Sequence, residues 1–196
     1  MGGLPAGMAE ALGAAHSEAM ALHLENKVLK PGDVVPAADF YDQKTRAEIR
    51  LSDLLSGQNL VISFFRGTWC SFCAVELKAL NHAYEAIRER GADLIALSPE
   101  LYRFSRDFIE NNAIRYRVLS DLNTVAAERF GLAVQLPHSL REIYRRFDLN
   151  LDIKNGACGW SLPMPATFVV SSAGVISASF VNADFTQRMD PTHILN

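Results

Sequence analysis

Residues 59–73 read NLVISFFRGTWCSFC, and the hydrophobic pattern changes its period within them. The first seven are mostly aliphatic, β-branched or aromatic, which predicts a strand buried on both faces of a sheet. Beyond Cys73 the apolar residues recur three and four apart, which predicts an amphipathic helix ending at Gly91 and carrying Leu77, Leu80, Tyr84 and Ile87 on one face. The stretch therefore predicts a strand that leads directly into a helix, with Cys70 and Cys73 at the junction.

The rest of the chain continues the alternation of strands and helices. Its predicted elements are an extended stretch at 36–41 entering a hairpin at 42–45, strands at 93–97 and 116–119, helices after Pro99, at 125–130 and at 139–147, a long loop at 148–162, and a closing hairpin of 166–171 and 175–181 about Gly174. Ser120 or Asp121 is the predicted cap of the helix at 125–130. This order predicts an α/β fold, a mixed sheet with helices on both faces. Residues 1–29 predict a helical extension to one main domain of residues 30–196.

Composition and charge limit the classes of function that this protein can have. The chain has 196 residues, of which 49% are apolar and 21% charged, as expected of a globular domain. Its net charge of −3 argues against nucleic acid or an anionic membrane as the main partner. The longest apolar runs are much shorter than the ~20 residues of a membrane-spanning helix. Because Lys27 is the first lysine or arginine, the start lacks a positively charged n-region, and we expect no secretory signal and a cytoplasmic location.

Two cysteines three residues apart at the start of a helix have a characteristic chemistry. The free N–H groups and the positive end of the helix dipole stabilise a thiolate, so the cysteine pKa should be lowered. The spacing also allows a reversible disulfide between Cys70 and Cys73. One alternative is a pair of inert, buried core cysteines. A zinc site would need two more ligands, and only Cys158 and scattered histidines are available, so no metal is expected.

With these residues in place, the sequence resembles the peroxiredoxin-like branch of the alkyl hydroperoxide reductase and thiol-specific antioxidant (AhpC/TSA) family, within the thioredoxin-fold superfamily. The resemblance runs from about Lys30 to Asp184. Besides the strand, cysteine pair and helix, it rests on the segments PGDVVPAADF at 31–40, LSDL at 51–54, VLSD at 118–121, RFGL at 129–132 and MPATFVV at 164–170. It implies a thioredoxin-like three-layer sandwich and a thiol-dependent oxidoreductase without metal, flavin or nucleotide.

The sequence departs from typical peroxiredoxins in the pocket motif, which resembles F-Y-P-x-x-x-T-x-x-C. A gapless overlay places Cys73 on the peroxidatic cysteine and Cys70 on the threonine. Arg66 then takes the place of the proline, and Glu76 keeps an acidic position three residues after the cysteine. The pocket arginine of the family falls on or near Pro165, so this sequence lacks it at the expected place.

What replaces these residues resembles thioredoxin. Trp-Cys-x-x-Cys at a strand-to-helix junction, with a proline before a late strand, is the pair found in disulfide oxidoreductases. In this interpretation Cys70 is the exposed nucleophile and Cys73 resolves the mixed disulfide. Pro165 is then expected to be cis, with backbone groups of Met164 beside the sulfurs to pair with a partner's chain. The alternative for Pro165 is an ordinary turn proline.

Supporting roles are predicted for the residues around the two cysteines. Arg66 can stabilise a thiolate or orient a peroxide oxygen, or else form a surface salt bridge. Thr68 can hydrogen-bond a sulfur or only satisfy the loop, and Trp69 can cover the disulfide or simply pack. Glu76 is either a solvated helix residue, the preferred interpretation, or a proton relay. Cys158 is a weaker candidate for a distal resolving thiol.

Three functions are therefore considered. The first is a peroxidase in which a thiolate becomes a sulfenic acid, the neighbouring cysteine forms the disulfide, and a thioredoxin-, glutaredoxin- or glutathione-type thiol restores the pair. The second is a disulfide reductase acting on another protein. The third is a redox-inert binding module on the same fold. Because related proteins often dimerise, the amino-terminal helix is a candidate interface arm of a homodimer.

Overall fold

The computed structural model describes residues 28–42 and 44–195. Its strands are β1 (Asp39–Asp42), β2 (Ala47–Arg50), β3 (Asn59–Phe64), β4 (Ala92–Ser98), β5 (Arg117–Ser120), β6 (Ala133–Gln135), β7 (Ser161–Pro163), β8 (Ala166–Val170) and β9 (Ile176–Val181). Its α-helices are α1 (Leu51–Leu54), α2 (Ser71–Glu89), α3 (Tyr102–Asn111), α4 (Val125–Arg129), α5 (His138–Arg146), α6 (Leu151–Lys154) and α7 (Pro191–Ile194). None of the described helices is both long and apolar enough to cross a membrane.

Seven strands form one mixed sheet in the order β2-β1-β5-β4-β3-β8-β9. The three inner strands β3, β4 and β5 are parallel, whereas β8 pairs antiparallel to β3 and β9 antiparallel to β8. Along β3, successive side chains point to opposite faces. Leu60, Ile62 and Phe64 join a core with α1 and α4, whereas Val61 and Phe65 join a second core with α2. The predicted mixed sheet with helices on both faces is therefore confirmed.

Most predicted elements occur within a few residues of their expected bounds. The residue just before α4 is Thr124, whose side chain makes no capping hydrogen bond. The predicted Asp121 supplies the capping bonds from three residues earlier, since its two carboxylate oxygens each accept a backbone N–H at 2.8 Å, from Ala126 and Ala127. The helix predicted for residues 1–29 lies outside the described residues, apart from Val28 and Leu29. The Leu29 N–H donates to the Phe130 carbonyl at 3.3 Å, which fastens the start of the described chain to the domain.

The prediction of a long loop over residues 148–162 is wrong. This segment contains α6, a 3₁₀ turn at Gly156–Cys158 and β7, which pairs antiparallel with β6 in a separate two-stranded ribbon. These elements are too short to produce a readable period in the sequence. They are ordered by burial, because Leu151, Trp160 and Leu162 pack with α5 in a third core.

Candidate active site

The two cysteines lie at the amino-terminal end of α2, as the sequence predicts. Cys70 is the residue just before the first helical turn, and its N–H donates to the Gly67 carbonyl at 3.1 Å. Cys73 follows within that turn. Both are free thiols, and the exposed fraction is 6% for Cys70 and 0% for Cys73. A loop of six residues, 65–70, joins the end of the inner strand β3 at Phe64 to the start of α2 at Ser71.

The electrostatic surroundings make the two sulfurs unequal. The hydrogen bond from the Cys73 thiol, with further help from Arg66 and Arg188, lowers the pKa of Cys70 to about 5 in spite of burial. The same hydrogen bond, together with burial, raises the pKa of Cys73 well above its ordinary value. At neutral pH the pair therefore holds a thiolate on Cys70 and a thiol on Cys73, which agrees with the free N–H groups at a helix start.

Arg66 is buried beside this pair and is enclosed by aromatic rings. Its guanidinium donates to the Tyr144 hydroxyl, and its central carbon lies 5.2 Å from the Trp69 ring centre and 4.4 Å from that of Phe185. Burial alone would lower the pKa of Arg66, but Tyr144 and the two cysteines raise it. Among the described residues it forms no ion pair with a carboxylate, so the surface salt bridge that was the alternative does not occur. Tyr144, on α5, was not predicted as a site residue.

Thr68 is held by a contact away from the sulfurs, whereas Trp69 packs beside them. The Thr68 N–H and hydroxyl both donate to one carboxylate oxygen of Glu100, at 2.7 and 2.8 Å. Of the two alternatives for Thr68, the structure has the second: the hydroxyl proton is used by Glu100 to hold the loop and is not donated to a sulfur. The Trp69 ring packs edge-on against Tyr144, with ring centres 5.7 Å apart, and also contacts the core that contains both cysteines.

Glu76 lies on α2 below Cys73 and is only 6% exposed, so the preferred interpretation of a solvated helix residue is wrong. Its carboxylate is paired with Arg188, at 2.7 Å between Oε2 and Nε. Burial raises the pKa of Glu76 to about 7, although Arg188 acts in the opposite direction. The same guanidinium donates from Nη2 to the Cys73 sulfur at 3.3 Å.

Arg188 is a site residue that the sequence analysis missed. An arginine was sought near Pro165, whereas the residue that reaches Cys73 lies in the segment between β9 and α7. One signal was available in the sequence. Arg188 is the only lysine or arginine after Lys154. The same segment carries Phe185, whose ring packs edge-on against Phe72 beside Cys73, with ring centres 5.9 Å apart.

Met164 and Pro165 do not have the predicted geometry. The described chain contains no cis peptide bond, so the prediction of a cis Pro165 is wrong. The Met164 N–H donates to the Leu132 carbonyl at 2.8 Å, because the pairing of β7 with β6 continues to this residue. That N–H is not available to a partner's chain. The Met164 side chain belongs to the core with Phe64, not to the one that contains the cysteines.

Cys158 is half-buried in the 3₁₀ turn, where its thiol donates to the Asn155 carbonyl at 3.1 Å. Burial raises the pKa of Cys158 to about 11. At neutral pH it is therefore a protonated thiol and a weak nucleophile. Across residues 28–42 and 44–195, histidine, cysteine and acidic side chains form no group of three that could hold a metal ion.

Comparison with known proteins supports the family that the sequence resembles. The sequence model of the AhpC/TSA family matches residues 31–179. The putative peroxiredoxin bcp of Buchnera aphidicola subsp. Schizaphis graminum is 24% identical over 104 residues, which are 53% of this chain and 65% of the relative. The thiol-disulfide oxidoreductase ResA of Oceanobacillus iheyensis is 28% identical over 105 residues, 50% of this chain and 53% of that protein. The matches thus span less than two thirds of these two relatives.

Among solved structures, the fold is similar to that of peroxidoxin BcpB from Mycobacterium tuberculosis. The TM-score is 0.62 at 23% sequence identity, and the superposition covers 78% of this chain and 86% of that one. At this level of identity the likeness shows a shared fold.

Proposed function

Because the chain belongs to the AhpC/TSA family and buries a pair of cysteines that feel the charges of Arg66 and Arg188, we propose that it is an oxidoreductase that reduces peroxides. The observation that carries the proposal is the burial of both sulfurs beside Arg66 and Arg188. A peroxide is small enough to reach Cys70 at 6% exposure, and guanidinium groups can hydrogen-bond its oxygens. A folded protein that presents a disulfide would need a more exposed sulfur.

The first step uses the Cys70 thiolate. Its sulfur attacks one oxygen of the peroxide, the O–O bond breaks, and the other oxygen leaves as an alcohol or water after taking up a proton. Cys70 becomes a sulfenic acid, so sulfur is oxidised and the peroxide is reduced. The low pKa of Cys70 keeps the thiolate populated at neutral pH. We propose that Arg66, whose charge helps to lower the pKa of Cys70, orients the peroxide and stabilises the charge that develops on the leaving oxygen.

The second step uses Cys73. Its sulfur attacks the sulfenic acid, a disulfide forms with Cys70, and the hydroxyl group leaves as water with the thiol proton. The Arg188 guanidinium, 3.3 Å from the Cys73 sulfur, stabilises the thiolate that this attack requires. Two external thiols then reduce the disulfide and are themselves oxidised to a disulfide. We propose a thioredoxin-, glutaredoxin- or glutathione-type thiol for this role.

A second candidate function is the exchange of disulfides with another protein. It is favoured by the polarised pair, because a low-pKa cysteine followed by a buried resolving cysteine suits thiol–disulfide exchange. The trans Pro165 and the occupied Met164 N–H argue against it, since both remove the expected docking edge. The third candidate, an inert binding module, requires that neither sulfur react.

The test compares the rates at which the reduced protein loses thiols to hydrogen peroxide and to an organic hydroperoxide. The wild type, Cys70→Ser and Cys73→Ser are measured, with Cys158→Ser as the matched control. We expect a fast reaction in the wild type, Cys73→Ser and Cys158→Ser, and a rate close to that of free cysteine in Cys70→Ser. Slow loss in all four with fast reduction of a protein disulfide would favour the second function. If the protein reacted neither with peroxides nor with a protein disulfide, the third function, an inert binding module, would remain.

A further inference from the structure

We propose that Glu100 is a positioning residue that fastens the turn before Cys70 and thereby keeps the attacking sulfur in place. The proposal rests on the function proposed above. Glu100 lies just after β4, and one of its carboxylate oxygens accepts two hydrogen bonds from Thr68. Thr68 lies inside the turn that Cys70 closes through its N–H bond to the Gly67 carbonyl. A single carboxylate oxygen therefore holds the middle of this turn.

Glu100 is itself held firmly. Its N–H donates to the Ser98 hydroxyl at 3.1 Å, and its carbonyl accepts from the Ser120 hydroxyl at 3.3 Å. These two serines end the neighbouring parallel strands β4 and β5, so Glu100 is anchored to the rigid centre of the sheet. The turn at Gly67–Cys70, which has no strand or helix of its own, takes its position from that anchor.

Burial of the Glu100 carboxyl has a free-energy cost that packing of the loop alone would not require. Its exposed fraction is 3%, and burial raises the pKa of its carboxyl although the two Thr68 bonds lower it. The second carboxylate oxygen, Oε1, has no hydrogen-bond partner among the described residues. Glu100, Ser98, Ser105 and Ser120 line a cavity of about 10 Å³, close to the size that holds one water molecule. Although the charge of Lys154 also favours the carboxylate, the hydrogen bonds of the Glu100 carboxylate go to the Thr68 turn.

The test measures Cys70 directly, without peroxide. Thiolate formation is followed across pH by absorbance and by the rate of iodoacetamide alkylation in a Cys158→Ser background. In Glu100→Ala the turn loses both bonds, so the pKa of Cys70 should rise by about 1 as its helix-start position loosens. The peroxide rate should fall about tenfold, because a small misplacement of a reacting atom is costly.

Two further variants separate positioning from general stability. Glu100→Gln keeps an oxygen acceptor for Thr68 and should bring the Cys70 pKa and rate back toward wild type. Thr68→Val keeps the N–H bond, loses only the hydroxyl bond, and should fall between wild type and Glu100→Ala. Asp107→Ala, on the exposed surface of α3, is the control for an acidic residue outside the site.

Several outcomes would decide the proposal. A folded Glu100→Ala whose Cys70 titrates and reacts like wild type would overturn it, even if its unfolding midpoint were lower. If Glu100→Ala does not fold, an unchanged Cys70 pKa and rate in Thr68→Val would overturn it instead. Failure of the proposed function is distinguishable, because a wild type inert to peroxide would still show the shifted thiolate titration in these variants.

Discussion

Replacing Cys70 by serine should change how the stability of the reduced protein depends on pH. The pKa of Cys70 is about 5 in the folded chain against an ordinary value of 9.0. Between these two pH values the unfolded chain binds a proton that the folded chain does not. The folded thiolate therefore stabilises the protein fully above pH 9, and this contribution is lost as pH falls toward 5.

The magnitude follows from the slope of this linkage. Each pH unit inside the window changes the free energy of unfolding by about 1.4 kcal/mol per group. Between pH 7.5 and 5.5 the wild type should lose about 2–3 kcal/mol of stability from Cys70, and Cys70→Ser should lose none of it. Glu76 titrates in the same range in both proteins, so most of its contribution cancels in the difference.

The assay is urea unfolding of wild type and Cys70→Ser at pH 5.5, 6.5 and 7.5 with a phosphine reductant present. Cys158→Ser is the control, since its thiol has a pKa of about 11 and does not titrate in this range. A wild-type advantage that stays constant within about 0.5 kcal/mol across these pH values would refute the assignment of the thiolate to Cys70. A pH-dependent difference in Cys73→Ser alone would place the thiolate on the other sulfur.

Two further substitutions test other parts of the site. Glu76→Gln should behave oppositely to Cys70→Ser: a folded pKa of about 7 against 4.5 means that stability from Glu76 is present below pH 4.5 and is lost by pH 7. By urea unfolding, the free energy of unfolding of Glu76→Gln should rise by about 3 kcal/mol relative to that of the wild type between pH 4.5 and 7. A difference between the two proteins that does not change with pH would contradict the raised pKa of Glu76. Gly67→Ala should cost about 1–3 kcal/mol, because φ is +151° there and a Cβ would lie 2.1 Å from the Trp69 ring nitrogen. Thermal unfolding measures this loss of stability, and a shifted tryptophan emission would report displacement of the Trp69 ring. A Gly67→Ala variant as stable as the wild type would show that the Trp69 ring moves freely.

The sequence predicted the elements of this protein that are recorded in a local pattern of hydrophobic residues. The continuous apolar run of β3 records burial on both faces, and the three-and-four spacing of α2 records which face of the helix is buried, so both were readable without a structure. The same is true of the closing hairpin about Gly174, whose φ is +77°. The placement of Cys70 and Cys73 also followed, because their position depends only on where a strand ends and a helix begins.

The contacts that define the site were not readable in this way. Arg188 pairs with Glu76 across 112 residues of sequence, and Arg66 meets Tyr144 across 78. No local period records such a pairing, and a gapless overlay sought the arginine near Pro165. The ribbon of β6 and β7 was missed for a related reason, since it depends on how the segment at 148–163 packs against α5. The cis Pro165 was expected from a resemblance alone, and the structure has this bond trans.

The sequence by itself thus determined the fold class and the pair of sulfurs, because hydrophobic period and helix-start chemistry are local properties of the chain. Only the tertiary structure decided which sulfur carries the charge, since that depends on a hydrogen bond from Cys73 and on Arg66 and Arg188 brought to the pair. It also decided that Glu76 is buried and that Thr68 is held by Glu100. Charge and hydrogen-bond geometry act through space, and distance in space is set by packing.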